Sequence, residues 1–201
     1  QLPFNAHVLD VGCGSGSLLL KFRKSGFTNV EGADPFIAKD IQYPGGVTIH
    51  KKLLVEVAGQ YDLIIFNHAF EHMPNQEEVL KQVFRLLKKG GCALVRIPIA
   101  GTYAWRTYGV NWVQLDAPRH FYLHTVASMK LLSSRVGFNR MDIVFDSLDF
   151  QFWGSEQYLK GIPLRDKRSH AESDDESLFS KQQMQEFRDK AEALNRAGDG
   201  D

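Results

Sequence analysis

Cysteine is nearly missing from these 201 residues, with Cys13 and Cys92 the two present. Two thiols cannot build a disulfide framework or a four-thiolate zinc site, so a reducing, cytoplasmic setting is expected. No apolar run exceeds four residues, Leu63–Phe66 being one, against the roughly 18–20 needed to cross a bilayer, so no membrane partner is expected. The opening QLPFNAHVLD has no basic stretch ahead of an apolar one and predicts no signal peptide. Neither charge is in excess, with 24 Lys+Arg against 24 Asp+Glu, which disfavours a nucleic-acid partner. The balance is uneven along the chain, since residues 165–201 carry seven basic and ten acidic side chains. No His/Cys/carboxylate cluster has metal-ligand spacing, so no metal is expected. The remainder is ordinary globular usage, 43% hydrophobic and 24% charged.

Short β-branched runs alternate with helical patterns through the first two thirds. Ala6–Val11, Val30–Ala33, Val47–Ile49, Tyr61–Asn67 and Cys92–Pro98 read as buried parallel strands. Val79, Leu80, Val83, Phe84 and Leu87 share one helical face, with Lys88 and Lys89 in the last turn and Gly90 as the stop. A second helix is expected over Val126–Val136, between Thr125 as N-cap and Gly137, ahead of a strand at Met141–Phe145 extending to about Ser147. Strand–helix–strand units in series imply an α/β fold, a doubly wound and mostly parallel sheet with helices on both faces. The segment Gly101–His124 holds six aromatic residues without clean periodicity and reads as an insertion or lid. The polar stretch RDKRSHAESDDES reads as a solvated, mobile linker. Ser180 with Gln183 makes a capping box, and Phe179 with Met184 a hydrophobic staple, for a helix that buries Met184, Phe187, Ala191 and Leu194. The expected division is a core over 1–148, with a lid insertion at about 101–124, and a linker with a helical appendage over 149–201.

The chemistry sits in Val8–Gly16, VLDVGCGSG. Gly12, Gly14 and Gly16 follow a strand at alternating positions, where a missing Cβ lets backbone approach a ligand at the carboxyl end of that strand. The dinucleotide pattern G-x-G-x-x-G would put its third glycine at Ser17. Asp10, two residues before the first glycine, suits a ligand with a cationic or hydroxylated end better than a pyrophosphate. Asp34 ends the next strand in VEGADP, at the offset where an acid accepts hydrogen bonds from ribose hydroxyls.

From Ala6 to Ser147 the order VLDVGCGSG, EGADP, YDLIIFNHAFEHMPN and RLLKKGGCALVRIP resembles the class I S-adenosylmethionine-dependent methyltransferases. The resemblance implies S-adenosylmethionine as cofactor. It assigns Asp10, Gly12, Gly14 and Gly16 to the cofactor cradle, Asp34 to the ribose hydroxyls, and Asn67 and His68 to the sulfonium end, with His72 close behind. Relatives often carry an acid near the adenine amine where this chain has HKKLLVEV, which leaves backbone around Lys52–Leu53 for that contact. The family's sheet has seven strands. Here six are expected, the antiparallel seventh being missing or replaced by Asp149–Trp153, as in a domain trimmed at both ends. NWVQLDAPRHFYLHT is similar to a branch of bacterial small-molecule and cell-envelope methyltransferases with an Asp-x-Pro-Arg-His segment.

Methyl transfer needs alignment and exclusion of water more than a nucleophile, and a hydroxyl or activated-carbon acceptor must also lose a proton. A neutral histidine suits that role, so His120 ranks first and His72 second as catalytic residues. Arg119, Trp105, Tyr108 and Trp112 are the candidates for binding a small-molecule, sugar or envelope-precursor acceptor. The aromatic residues, with Phe121 and Tyr122, read equally as lid core, a role compatible with lining a pocket, and Asp116–Arg119 reads as a structural ion pair. Cys13 reads as a packing residue. An NAD(P)-dependent oxidoreductase or epimerase on the same sheet, or a non-catalytic cofactor-binding module, remain the alternatives.

Overall fold

The computed structural model describes residues 2–172 and 178–201. They form two compact units, Gln1–Ile97 with Lys130–Asn139, and Pro98–Met129 with Arg140–Asp201. This division differs from the expected one. The lid segment and the C-terminal helix share a unit because the aromatic residues of the one find their packing partners on the other. No helix among the described residues is long and apolar enough to cross a membrane.

The first unit is built on a six-stranded sheet. Its strands are β1 (His7–Val11), β2 (Asn29–Ala33), β3 (Ile41–Tyr43), β4 (Val47–His50), β5 (Tyr61–Asn67) and β6 (Leu87–Arg96), in the order β3-β4-β2-β1-β5-β6. All pairings are parallel except β3 with β4. Val8, Leu19, Val30, Val47, Ile49, Leu63 and Ile65 form a core between the sheet and α1 (Ser17–Lys24). The register sets Asp10 beside Gly32 of β2 and Ile65 of β5. The strand order reverses at β1, so the carboxyl ends of β1 and β5 flank the switch point where open α/β sheets bind ligands.

Several expectations are corrected here. β3 stands where no strand was expected, paired antiparallel with β4 across Pro44-Gly45-Gly46. Met141–Ser147 forms no strand. Asn195 Nδ2 instead donates to Ser147 O at 2.9 Å, so a helix side chain and not a ladder holds this segment. Asp149–Trp153 fills no strand slot, because α5 is helical over Phe150–Leu159. α2 (Gln76–Leu86) ends before Gly90, because Leu87 already pairs with Tyr61 in the β5–β6 ladder. Lys88 consequently bonds Asp62 at 2.7 Å instead of closing a helix turn.

The expected helix after Thr125 is α4 (Val126–Val136), and Thr125 Oγ1 accepts from Ser128 N at 3.1 Å. The second unit packs Ala104, Tyr108 and Trp112, from α3 (Tyr103–Tyr108) and the turn after it, against Phe152 and Ala191. Ala191 lies on α6 (Lys181–Ala197), where Ser180 and Gln183 form the expected capping box. Met184 and Ala191 are buried, while Phe187 and Leu194 pack half-buried on the same core. The expected mobile linker is corrected for residues 165–172. Ser169 is fully buried and its hydroxyl pairs with the Gln157 amide, and Arg165 meets Glu172 at 2.9 Å. The rest of that linker, residues 173–177, lies outside the described residues.

Two stability predictions follow from this packing. A Cβ on Gly32 would collide with Cys13 Sγ and stand 2.9 Å from Leu19 Cδ1. Gly32→Ala is expected to cost about 1–3 kcal/mol by thermal unfolding, and adding Cys13→Ala to recover part of that loss. Ser180→Ala removes the N-cap of α6 and should cost about 1 kcal/mol in the same measurement.

Candidate functional site

The glycine turn between β1 and α1 is shaped by three left-handed residues, Gly12, Gly14 and Gly16, with φ of +73°, +53° and +80°. Gly12 N donates to Ala33 O at 2.8 Å, which ties the turn to the end of β2. Two of the glycines are enforced by contact as well as by φ. A Cβ on Gly12 would lie 2.6 Å from Ala69 Cβ, and one on Gly16 would lie 2.5 Å from Ile49 Cδ1. Gly14 differs. A Cβ there would meet nothing within 4 Å, so this part of the turn borders open space.

Asp34 organises that turn from the end of β2. Its Oδ2 accepts from Gly14 N and its Oδ1 from Phe36 N, both at 2.8 Å. A carboxylate has about four lone-pair sites, so capacity remains for hydroxyl donors. Asp10 is 2% exposed and its Oδ1 has no hydrogen-bond partner. Burial first, and the Asp34 charge second, push its carboxyl from the ordinary 3.8 up to about 7. Burial and the same two carboxylates push the Cys13 thiol up to about 12, which supports its reading as a packing residue and not a nucleophile.

At the end of β5, Asn67 is exposed, and His68 follows in the left-handed region at φ +53°. A short 3-10 turn, Phe70–His72, carries Glu71 and His72. Glu71 is 1% exposed, with Oε1 3.5 Å from His68 Nδ1. On sequence alone Glu71 reads only as a residue opening the next helix. Its three-residue spacing from His68 is the one available signal, and its burial is not legible there.

The acceptor-side candidates lie in the second unit. Trp112 is fully buried and its indole donates to Asp201 at 2.8 Å. Tyr108 is buried and donates to Glu156 at 2.9 Å. Trp105 packs edge-on to Trp112 at a centroid distance of 5.7 Å. Tyr108 and Trp112 thus belong to the core of the second unit, one of the two compatible readings that the sequence left open. Arg119 is 70% exposed and pairs with Asp116 through Nη2 at 2.6 Å and Nε at 3.1 Å. The His120 side chain is 6% exposed, with Nδ1 2.8 Å from Gln114 O and Nε2 3.6 Å from Asp116 Oδ2. Both His120 nitrogens thus face protein oxygens of their own unit.

Comparison with known proteins gives the fold and the turn a context. Residues 2–142 match the family described as "Methyltransferase domain". The chain is 31% identical to a ubiquinone biosynthesis O-methyltransferase of Bordetella avium, over 63% of this chain and 58% of that protein. It is 33% identical to the one of Pseudomonas aeruginosa, over 56% of this chain and 53% of that protein. The chain thus spans about half the length of the curated relatives it matches. Among solved structures, the magnesium protoporphyrin IX methyltransferase of Synechocystis with bound SAH aligns at a TM-score of 0.54 and 19% identity, covering 71% of this chain and 68% of that one. A phospholethanolamine N-methyltransferase 2 of Haemonchus contortus aligns at 0.59 and 16% identity, covering 99% of this chain and 47% of that one. At these identities the likeness is one of fold. With the family pattern matched over more than half of its length, the chain belongs to the methyltransferase-domain family and carries the class I S-adenosylmethionine-dependent methyltransferase fold.

Proposed function

We propose that this chain binds S-adenosylmethionine at the glycine turn and directs its methyl group to an oxygen of a small hydroxylated molecule. The observation that carries the reading is the unpartnered, buried Asp10 oxygen beside a turn whose Gly14 borders open space. A buried carboxylate without a partner calls for a cation or a hydroxyl donor. S-adenosylmethionine offers both, in its ammonium and sulfonium charges and its ribose hydroxyls, so the residues present fit it. Asp34 would accept from the ribose hydroxyls while its hold on Gly14 N keeps the turn in shape. Gly12, Gly14 and Gly16 would give backbone access, and Asn67 and His68 would face the sulfonium end.

When bound, the cofactor supplies a methyl group on a positively charged sulfur. The chain's own part is to align the acceptor, exclude water and take a proton. His68, at the carboxyl end of β5, has a half-exposed side chain, whereas both nitrogens of His120 lie on oxygens of its own unit. The O-directed reading draws on the ubiquinone biosynthesis O-methyltransferases the chain is similar to. The likeness of the Asp116–His120 segment to the small-molecule and cell-envelope branch keeps sugar or envelope-precursor hydroxyls within the proposed acceptor class.

Calorimetric titration tests the cofactor directly. S-adenosylhomocysteine is expected to bind, NAD is not, and Asp34→Ala should weaken binding by roughly 10- to 100-fold, the loss of charge-assisted hydrogen bonds. Binding of NAD alone, or an Asp34→Ala affinity equal to that of the wild type, would sink the reading.

Asp10 adds a pH signature. In the unliganded chain its carboxyl holds a proton up to about pH 7. The raised value favours the folded state below the unfolded carboxyl's 3.8, and that contribution is lost as pH rises through about 7. A cationic ligand favours the carboxylate, so binding below pH 7 expels the proton. Affinity for S-adenosylmethionine should therefore rise from about pH 6 to about pH 8 and flatten above, and Asp10→Asn should abolish the slope. Titration in buffers of different ionisation enthalpy counts the proton released, and a slope that survives in Asp10→Asn contradicts the assignment.

A further inference from the structure

The carboxyl end of β5 holds a histidine–carboxylate pair in a constrained setting. His68 keeps φ at +53°, which a non-glycine residue adopts only where its surroundings impose it. Its amide donates to Arg96 O at 3.0 Å, so the backbone is pinned to β6 at this residue. Three residues on, Glu71 is 1% exposed, with Oε1 3.5 Å from His68 Nδ1 and no hydrogen-bond partner for Oε2. A carboxylate buried in this way costs free energy that its own surroundings do not recover. Such a group is a natural counter-charge for an imidazole that becomes protonated.

The location gives the pair a use. Ala69, next to His68, is the residue that a Cβ on Gly12 would strike, so the 68–71 segment abuts the glycine turn. The His68 side chain is 42% exposed, and Nε2 lies across the ring from the nitrogen that Glu71 faces. The 3.5 Å approach is an ion-pair contact and not a formed hydrogen bond, but a carboxylate facing Nδ1 at this distance favours the proton on Nδ1, which leaves the lone pair on Nε2 as a general base requires.

We propose that Glu71 is a positioning residue that holds neutral His68 in its Nδ1–H tautomer, so that Nε2 takes the hydroxyl proton of the methyl acceptor. The inference rests on the methyl-transfer reading and assigns its proton. The acceptor oxygen gives its proton to Nε2 as it gains the methyl carbon, and the electron pair of the broken carbon–sulfur bond stays on sulfur. The imidazolium so formed carries its charge beside the Glu71 carboxylate.

Nitrogen NMR of the full chain labelled with ¹⁵N-histidine reads the tautomer without any acceptor. At about pH 9 an imidazole is neutral. The wild type is expected to carry the His68 proton on Nδ1, and Glu71→Leu to shift it mainly to Nε2. An Nε2–H tautomer in the wild type overturns the proposal, and that spectrum suffices if Glu71→Leu does not fold. An unchanged tautomer in folded Glu71→Leu overturns it equally. In turnover with methyl-labelled S-adenosylmethionine and a panel of phenols and sugars, His68→Ala should lower kcat at least 100-fold, within the usual contribution of a general base. Glu71→Leu should lower kcat about 10-fold or more, with KM for S-adenosylmethionine within about threefold of wild type. A His68→Ala enzyme with wild-type kcat refutes the assignment. Failure of the wild type to bind S-adenosylhomocysteine would instead remove the methyl-transfer reading beneath it, so the two failures are distinguishable.

Discussion

Two carboxylates meeting under one glycine turn set the terms for the first unit. Asp10 and Asp34 end adjacent parallel strands, and neither has an ion-pair partner among the described residues. Their mutual repulsion and their burial would oppose folding if both stayed charged. The chain meets this in two ways. Asp34 accepts from two backbone N–H donors, which at the same time bend the turn around it. Asp10 receives none, and its carboxyl rises to about 7. One acid therefore shapes the turn while the other stays unsatisfied inside it. That asymmetry gives the turn a preference for a ligand with positive charge and hydroxyl groups, where three glycines alone would suit any phosphate.

The turn and its acids were legible in the sequence because their chemistry is local. A left-handed glycine, a strand end and an acid at fixed offset are each decided within a few residues. What escaped depended on pairing partners that no local pattern announces. Ile41–Tyr43 is a strand of three residues that exists through its pairing with β4, and only the Pro-Gly-Gly between them hinted at it. Met141–Ser147 carries the β-branched run of a strand yet finds no ladder, and Asn195 holds its end through the Ser147 carbonyl. α2 stops short of its sequence signal because Leu87 is worth more in the ladder beside Tyr61 than in another helical turn. In each case tertiary pairing overrode a sound local pattern.

The aromatic segment shows the same limit on the side of function. Tyr103, Trp105, Tyr108 and Trp112 lack periodicity, so sequence alone could not separate a pocket wall from a core. The separation came from α5 and α6, elements more than 35 residues away, which bury Trp112 completely. Gly154 on α5 makes that approach possible, since a Cβ there would stand 2.8 Å from Val113 Cγ2. The residue types that suggest ligand binding are also the ones that give a small unit enough buried area to hold together. Burial, and not composition, makes the packing role visible.

Methyl transfer from a sulfonium disperses positive charge as it proceeds, and a hydroxyl acceptor then leaves its proton to be placed. A site with a fixed cation would oppose the bound sulfonium, and one with a fully charged carboxylate beside the methyl would stabilise the ground state as much as the transition state. The arrangement at β1 and β5 avoids both. On the proposed reading Asp10 would take up charge as a cationic ligand arrives and give it up when a neutral one replaces it, since burial and Asp34 raise its carboxyl to about 7. Glu71 is buried and faces an imidazole, so in the proposed mechanism it would act on the proton and not on the methyl group. Holding the two acids on different strands lets ligand charge and proton transfer be balanced separately.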